Sequence, residues 1–185
     1  MQTLNIEQGR LCQHETVKHV PSPNCDARPA ADISLLVIHH ISLPPHCFGG
    51  NDIVDFFCNR LDVDKDPFYQ EIAQLTVSAH VLIKRNGELV QLVSFNDRAW
   101  HAGQSAYQGR EACNDFSIGI ELEGDEKTVY RYGQYKSLIA LTKAIQTAYP
   151  QIGTNITGHE NIAPGRKTDP GPTFDWQRYL EALSC

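Results

Sequence analysis

The run Ser34-Leu35-Leu36-Val37-Ile38-His39-His40 is almost continuously apolar and rich in branched side chains until it ends in two histidines. Such a run is typical of a strand that is buried on both faces of a sheet. The polar end of a buried strand is also where sites on α/β sheets often lie. The stretch therefore predicts the central strand of an α/β domain, with a candidate site at its carboxyl end.

A second core strand is predicted over Ser117–Glu123, where Gly124 ends it. Side chains alternate between the two faces of a strand, so the apolar residues share one face and Glu121 and Glu123 share the other with Gly119. The remaining pattern predicts one α/β domain with a central mixed sheet flanked by helices, over residues 34–185. Residues 1–33 are interpreted as an N-terminal arm packed on that domain.

The other elements follow from periodicity and turn residues. Asn86-Gly87 is interpreted as a two-residue hairpin turn, and the acidic run 62–66 as a solvated loop. A last helix, capped by Thr173, is expected to face Trp176, Tyr179, Leu180 and Leu183 inward. The other predicted helices are 51–61, capped by Asn51, and 132–149, ended by Pro150; the other predicted strands are 76–85, 88–93 and 155–157.

Composition narrows the class of protein. The chain has 185 residues, and its hydrophobic fraction of 41% is ordinary for a globular protein. Its net charge of −6 argues against the basic surface that binds nucleic acid. No apolar run is long enough to cross a membrane, and no signal peptide is visible at the N-terminus. The six cysteines form no paired motif, so we expect reduced thiols and a cytoplasmic protein.

The stretch Thr157–Gly171 concentrates His159, Lys167 and Asp169 between glycines and prolines, and we expect it to be neither regular helix nor strand. A hydrolytic zinc site needs about three protein ligands and one open position. One of the two strand-end histidines, His39 or His40, could join His159 and Asp169 in such a set. No spacing rule selects between them, and a buried histidine is also common without a metal.

Six segments, in order along the chain, carry a family resemblance. They resemble the zinc-dependent N-acetylmuramoyl-L-alanine amidases of type 2, a family that also includes phage amidase lysozymes and peptidoglycan recognition proteins. The fuller match, from about Pro21 to Trp176, is to the cytosolic members that act on 1,6-anhydro-muropeptides. The segments are Val37-Ile38-His39-His40-Ile41-Ser42, Ser78-Ala79-His80, Ala99-Trp100-His101-Ala102-Gly103, Ile118–Gly124, Thr157-Gly158-His159 and Lys167-Thr168-Asp169-Pro170-Gly171.

The resemblance implies that His39, His159 and Asp169 hold Zn²⁺. It implies that Glu121 is the catalytic base and then acid, and that Lys167 stabilises the oxyanion. These roles suit a carboxylate beside the attacking water and an ammonium fixed near the metal. Glu123, on the same strand face as Glu121, is the alternative carboxylate and is interpreted as a surface residue.

Substrate contacts are predicted for His40, Trp100, His101, Tyr107 and Arg110. Aromatic faces stack on sugar rings, and an arginine fork matches a peptide carboxylate. Each has a structural alternative, such as Trp100 in the core or Arg110 anchoring its loop. His80 is interpreted as structural.

The resemblance implies an amidase that cleaves the bond between the lactyl group of anhydro-N-acetylmuramic acid and L-alanine. It further implies muropeptide recycling in the cytoplasm, an indirect effect on β-lactamase induction and a monomer whose partner is its substrate. Two alternatives stay open: a wall-cleaving amidase of periplasmic or phage type, and a peptidoglycan-binding module without activity.

Overall fold

The computed structural model describes residues 3–29 and 32–184. Its helices are α1 (Asp52–Phe57), α2 (Pro67–Ile72), α3 (Tyr132–Ala148), α4 (His159–Ile162) and α5 (Trp176–Leu183), with 3-10 turns at Cys113–Asp115 and Pro150–Ile152. Its strands are β1 (Ile6–Glu7), β2 (Arg10–Leu11), β3 (Val17–His19), β4 (Cys25–Ala27), β5 (Leu35–Ile41), β6 (Val81–Ile83), β7 (Leu89–Gln91), β8 (Asp97–Ala99), β9 (Ala106–Tyr107), β10 (Arg110–Glu111), β11 (Ser117–Glu123) and β12 (Ile156–Gly158).

Six strands form the central sheet, in the order β12-β5-β11-β6-β7-β3. The sheet is mixed because β5 runs parallel to β12 and β11, whereas β6 and β7 are antiparallel. Buried residues of α3 and α5 pack with one face of the sheet, and those of α1 and α2 pack with the other. The predicted single α/β domain with helices on both sides is confirmed.

The two core strands lie where the apolar runs predict them. β11 has the predicted bounds, and β5 is shifted by one residue from the predicted run. Ile118, Ile120 and Leu122 share one hydrophobic core with α3, which confirms the predicted alternation. Both strands are buried because each has a parallel neighbour on either side and helices above and below.

The predicted hairpin exists, but its turn is longer than two residues. β6 and β7 pair antiparallel with Ile83 opposite Leu89. The Gly87 amide donates to the Lys84 carbonyl, so Arg85 and Asn86 are the central residues of the turn. Gly87 follows them with φ at +86°, a conformation that glycine adopts without strain. The prediction of an Asn86-Gly87 two-residue turn is therefore wrong.

The helices differ from prediction mainly at their ends. α1 ends at Phe57 rather than at residue 61, and Asn51 makes no side-chain cap. α2 was not predicted: the Asp66 carboxylate caps it by accepting from the Phe68 amide, with Pro67 in the first turn. α3 matches its prediction closely.

The last helix is capped by Asp175, whose carboxylate accepts from the Arg178 amide, and not by Thr173. Tyr179 is fully buried as predicted, whereas Leu180 is exposed. Across residues 3–29 and 32–184, the longest helices are too short or too polar to span a lipid bilayer.

The N-terminal segment contributes to the sheet, because β3 pairs parallel with β7 at its edge. Arg28 then ties this segment to the sheet's centre. Its guanidinium donates to the carbonyls of Ser117 at 2.7 Å, Asn114 at 3.0 Å and Phe95 at 3.3 Å. Burial lowers the pKa of Arg28 to about 10, which leaves it charged at neutral pH. The boundary at residue 33 stays a prediction.

We expect Arg28→Met to lower the free energy of unfolding by about 3 kcal/mol, because several partly buried carbonyls lose their donor at once. Urea unfolding followed by fluorescence measures this. Arg60→Met is the matched control: Arg60 makes one exposed ion pair with Asp55, so its loss should cost less than about 1 kcal/mol. Equal losses in the two variants would show that Arg28 is not a structural tie.

Candidate metal centre

Strand register brings three of the predicted residues side by side. Glu121 on β11 is the partner of His39 on β5. On the other side of β5, Thr157 pairs with Val37 and Gly158 with Ile38, so the next residue of that chain, His159, lies beside His39. His159, His39 and Glu121 thus lie side by side near the carboxyl ends of three neighbouring parallel strands, where α/β proteins build sites.

His39, His159 and Asp169 converge on one point. His39 Nδ1 lies 2.9 Å from His159 Nδ1 and 3.0 Å from Asp169 Oδ2. The third side of the triangle, between His159 Nδ1 and Asp169 Oδ2, is 3.1 Å. All three residues are buried. His40 is the neighbour on the strand, and it does not belong to this set.

The donor atoms of this triangle fit a cation. His159 Nε2 lies 3.1 Å from the Ala102 carbonyl, which can only accept a hydrogen bond. The proton of neutral His159 is therefore on Nε2, and its Nδ1 presents a lone pair to the Asp169 carboxylate. Two acceptors held about 3 Å apart repel each other unless a proton or a metal ion lies between them. Two imidazole nitrogens and one carboxylate oxygen are a ligand set that suits Zn²⁺.

Backbone contacts fix Asp169 next to His159. The Glu160 amide donates to the Asp169 carbonyl at 2.9 Å, which joins the two ends of the loop. The loop is less irregular than predicted, because it opens with β12 and the single turn of α4. A short helical turn satisfies backbone groups that an irregular loop would leave unpaired.

Glu121 faces this site with a free carboxylate oxygen. It is 9% exposed, and its Oε2 has no hydrogen-bond partner among the residues described. Burial raises the pKa of Glu121 well above its usual range and the Asp169 charge adds to the rise, whereas Lys167 lowers it. A buried carboxyl with a raised pKa is suited to taking up and releasing a proton. Lys167 itself is exposed at the rim.

Glu123 is not a surface residue, which corrects the prediction. It is 3% exposed, and its carboxylate accepts hydrogen bonds from the Gly49 and Arg85 amides. These bonds tie the loop before α1 to the β6–β7 hairpin. The same strand face thus carries one carboxylate with structural partners and one, Glu121, with an unpartnered oxygen.

A cleft of about 370 Å³ opens over the site. Its polar lining contains His40, Glu121, Lys167 and two of the candidate ligands, His159 and Asp169. Its opposite wall is apolar and comes from α1, α2 and the loops beside them. The apolar residues are Leu43, Pro45, Phe56, Phe57, Phe68, Ile72, Leu75 and Val77.

The predicted substrate contacts fall into two groups. His40 and His101 line the cleft, and the buried His40 Nε2 has no partner in the described part of the chain. Trp100 donates from Nε1 to Asp26, Tyr107 lies near Asn155, and Arg110 pairs with Asp32 over the Phe116 ring. The lining of the cleft does not include these three, and their role stays a prediction.

Sequence reasoning missed the apolar wall and the Ala102 carbonyl. The wall depends on α2, and the Asp66-Pro67 pair was a usable indication, since a capping residue before proline marks a helix start. The carbonyl had no such indication, because every residue has one. His80 is fully buried, and its Nδ1 accepts from the Gly119 amide, in line with the structural role predicted for it.

Comparison with known proteins decides the family. A family model described as N-acetylmuramoyl-L-alanine amidase matches residues 29–172. The chain belongs to the N-acetylmuramoyl-L-alanine amidase family. The predicted family membership and the predicted enzyme class, an amide hydrolase, are confirmed.

Individual relatives of this amidase cover nearly its whole length. A 1,6-anhydro-N-acetylmuramyl-L-alanine amidase, AmpD, from Enterobacter cloacae is 58% identical over 97% of this chain and 95% of its own. A crystal structure of a selenomethionine AmpD derivative superposes with a TM-score of 0.91 at 52% identity, over 99% of both chains. A Pseudomonas aeruginosa protein, AmpDh3, solved in complex with anhydromuramic pentapeptide, matches at 30% identity with a TM-score of 0.59, over 83% of this chain and 61% of its own.

The buried candidate ligand His39 should make the metal-free amidase sensitive to acid. Burial lowers the pKa of His39 to about 4, below the value near 6.5 of an exposed histidine. Between these two pKa values the unfolded chain binds a proton at His39 and the folded chain does not. The contribution of neutral His39 to the free energy of unfolding is therefore complete above about pH 6.5 and is lost as the pH falls towards about 4. The expected loss from His39 is on the order of 3 kcal/mol.

Urea unfolding in a chelator, measured at several pH values, tests this. His39→Asn should flatten the decline between pH 6.5 and 4 relative to the parent. The control His19→Asn, at an exposed position, should keep the full decline. A His39→Asn variant that declines as steeply as the parent contradicts the assignment.

Proposed function

We propose that the chain is a zinc-dependent amidase that hydrolyses the bond between the lactyl group of 1,6-anhydro-N-acetylmuramic acid and the L-alanine of the stem peptide. The observation that carries the proposal is the triangle of His39 Nδ1, His159 Nδ1 and Asp169 Oδ2, with sides of 2.9 to 3.1 Å. Its members His159 and Asp169 line the cleft together with Glu121, and His39 is the strand partner of Glu121. The names of the relatives supply the substrate, since AmpD is a 1,6-anhydro-N-acetylmuramyl-L-alanine amidase.

His39, His159 and Asp169 would hold the Zn²⁺. When bound, Zn²⁺ supplies a Lewis acid that polarises the amide carbonyl and lowers the pKa of water. Burial lowers the pKa of His39 and so keeps it in the unprotonated form that a metal requires.

Glu121 moves the proton. Its unpartnered Oε2 accepts a proton from the attacking water, while the water oxygen forms a bond to the amide carbon. The carbon–nitrogen bond then breaks, and Glu121 returns that proton to the departing nitrogen of L-alanine. The products are a lactyl carboxylate on the sugar and a peptide with a free amino group, so the reaction consumes one water and leaves Glu121 unchanged.

Lys167 stabilises the negative charge that forms on the carbonyl oxygen. It lines the cleft and is close enough to lower the pKa of both Glu121 and His39. An ammonium that acts on the charge of the transition state raises the rate more than it raises substrate affinity. The charge on Lys167 also keeps Glu121 from holding its proton too tightly.

The apolar wall of the cleft gives the substrate a binding surface. Sugar rings and the methyl groups of lactyl and alanyl units have apolar faces that Phe56, Phe68 and their neighbours cover. His40, at the polar end, is placed to contact the amide region. Contacts from His101 and from Trp100, Tyr107 and Arg110 remain part of the proposal.

The setting belongs to the proposal too. Five described cysteines, at positions 12, 25, 47, 58 and 113, are free thiols, which suits a reducing cytoplasm. There the enzyme would degrade recycled anhydro-muropeptides and thereby lower β-lactamase induction indirectly. It would act as a monomer without nucleic-acid or membrane partners, in keeping with a net charge of −6.

The zinc-loaded enzyme is expected to release free stem peptide from anhydro-muropeptide, measured by mass spectrometry. Chelation should abolish the release of peptide and added Zn²⁺ should restore it, since the proposed reaction requires the bound ion. Asp169→Ala should lose both metal content and activity. Release of stem peptide after complete chelation and in the Asp169→Ala variant would contradict the zinc mechanism.

Glu121→Gln is expected to lower kcat by about 10² to 10⁴-fold with metal content unchanged, because the general base is lost. It should also remove the acid limb of the pH profile, since no carboxylate remains to be protonated. The matched control is Glu123→Gln, on the same strand face, which should lose stability but keep that limb. If the two variants exchange these behaviours, Glu123 is the base and the assignment is wrong.

A further inference from the structure

His101 lies behind His39, on the side away from the candidate metal. Its Nδ1 is 2.9 Å from His39 Nε2, and the two rings meet edge to face. His101 is 8% exposed and reaches only the floor of the cleft. The short contact means that one of the two nitrogens carries a proton and the other accepts it.

The direction of that hydrogen bond follows from a series of hydrogen bonds that begins at the Cys113 carbonyl and passes through Ser117 to His101. The Cys113 carbonyl can only accept, so the Ser117 hydroxyl 2.5 Å away must donate to it. The Ser117 Oγ is then left to accept from His101 Nε2 at 3.1 Å. With its proton on Nε2, neutral His101 has a bare Nδ1, which accepts the proton of His39 Nε2.

This series of hydrogen bonds leaves His39 Nδ1 without a proton, so its lone pair faces the site. A protonated His101 would present a donor to His39 Nε2 and favour the wrong tautomer.

The surrounding chain holds His101 in place. The Asn114 side-chain oxygen accepts from the amides of His101 and Ala102, at 3.1 and 2.8 Å. Ala102 in turn supplies the carbonyl that accepts from His159 Nε2. Two consecutive residues therefore back both candidate imidazole ligands.

The sheet makes room for the ring by a glycine. A Cβ atom on Gly119 would lie 2.5 Å from Cγ and Nδ1 of His101, closer than atoms can approach. Gly119 is two residues before Glu121 on β11, and it pairs with Val37 of β5, two residues before His39. Every larger residue at this position would displace the ring from His39.

We propose that His101 is a positioning residue: with Ser117 and Cys113 it fixes His39 in the tautomer whose Nδ1 binds the metal. It acts through His39, and the proposal requires no contact with substrate. It rests on the proposed metal site. Outer partners of this kind orient a ligand and raise its affinity for the metal.

Zn²⁺ affinity, measured by competition with a chromogenic chelator, tests the proposal. His101→Leu, which removes the acceptor, should weaken binding by about 10 to 100-fold. His101→Asn should stay within about threefold of the parent, because its Oδ1 lies where Nδ1 lay and still accepts. The control is His80→Leu, which removes another fully buried imidazole that touches the His101 ring but makes no hydrogen bond to His39; its affinity should match the parent.

A second measurement reads the tautomer directly, without activity or metal. Long-range ¹H–¹⁵N NMR of the metal-free parent should show the His39 proton on Nε2. Ser117→Ala removes only a hydroxyl, so it keeps the fold even if His101→Leu does not, and it should populate the other His39 tautomer. An unchanged tautomer in Ser117→Ala, or equal Zn²⁺ affinity in His101→Leu and His101→Asn, overturns the proposal.

These outcomes separate the two proposals. A parent protein that binds no Zn²⁺ refutes the proposed function. A parent that binds Zn²⁺ while His101→Leu binds it equally well refutes only the role of His101.

Discussion

The site depends on the parallel pairing of β5 with β12 on one side and β11 on the other. Because Glu121 pairs with His39 and Gly158 pairs with Ile38, Glu121, His39 and His159 from three separate parts of the chain lie in one row. A slip of one residue in either pairing would turn the functional side chain to the opposite face. The long apolar runs of β5 and β11 resist such a slip, since it would expose the alternate face of each strand. The core thus fixes the chemistry as well as the fold.

The second constraint is electrostatic. A histidine Nδ1 with a lone pair and a carboxylate oxygen lie about 3 Å apart at His159 and Asp169, inside the protein, where little water screens them. Burial and repulsion both oppose this arrangement. It is held by the backbone bond from Glu160 to the Asp169 carbonyl and by the Ala102 carbonyl behind His159. A cation bound between the two acceptors would be attracted by both, so the folded protein holds them in an arrangement that favours binding of a metal.

Sequence patterns predicted what is local and periodic. The bounds of β11 and α3 followed from apolar spacing, because burial on a sheet or helix face repeats with a fixed period. Ends and turns followed less well. Thr173 and Asp175 are both acceptable caps by residue type; in the structure α5 begins at Trp176, so Asp175 caps it, and the Thr173 hydroxyl donates to the Asp125 carbonyl instead. The acidic run before Pro67 resembled a loop because its last carboxylate caps a helix from outside.

The candidate ligands were easier to predict from the sequence than the substrate contacts. Residue types narrowed the candidate ligands to His159, Asp169 and one of His39 and His40, and the family resemblance then implied His39. The structure brings His39, His159 and Asp169 together. Trp100, Tyr107 and Arg110 lie in short strands and loops, where no period indicates which way a side chain points. In the structure their polar groups meet Asp26, Asn155 and Asp32 rather than the cleft.

The segment Trp100–Gly103 illustrates the difference between recognising a motif and knowing what it does. A histidine beside a zinc site invites a role in contacting substrate, and its residue type alone cannot distinguish that from support of a ligand. The glycine at 119 does distinguish them: a strand gives up side-chain packing there, at a cost in stability, only where another group must lie close to the backbone. That group is the His101 ring, which meets His39 at Nε2, the nitrogen that does not face His159 and Asp169. The space at Gly119 suits a partner of the candidate ligand His39, and it lies on the same strand as Glu121, the proposed base.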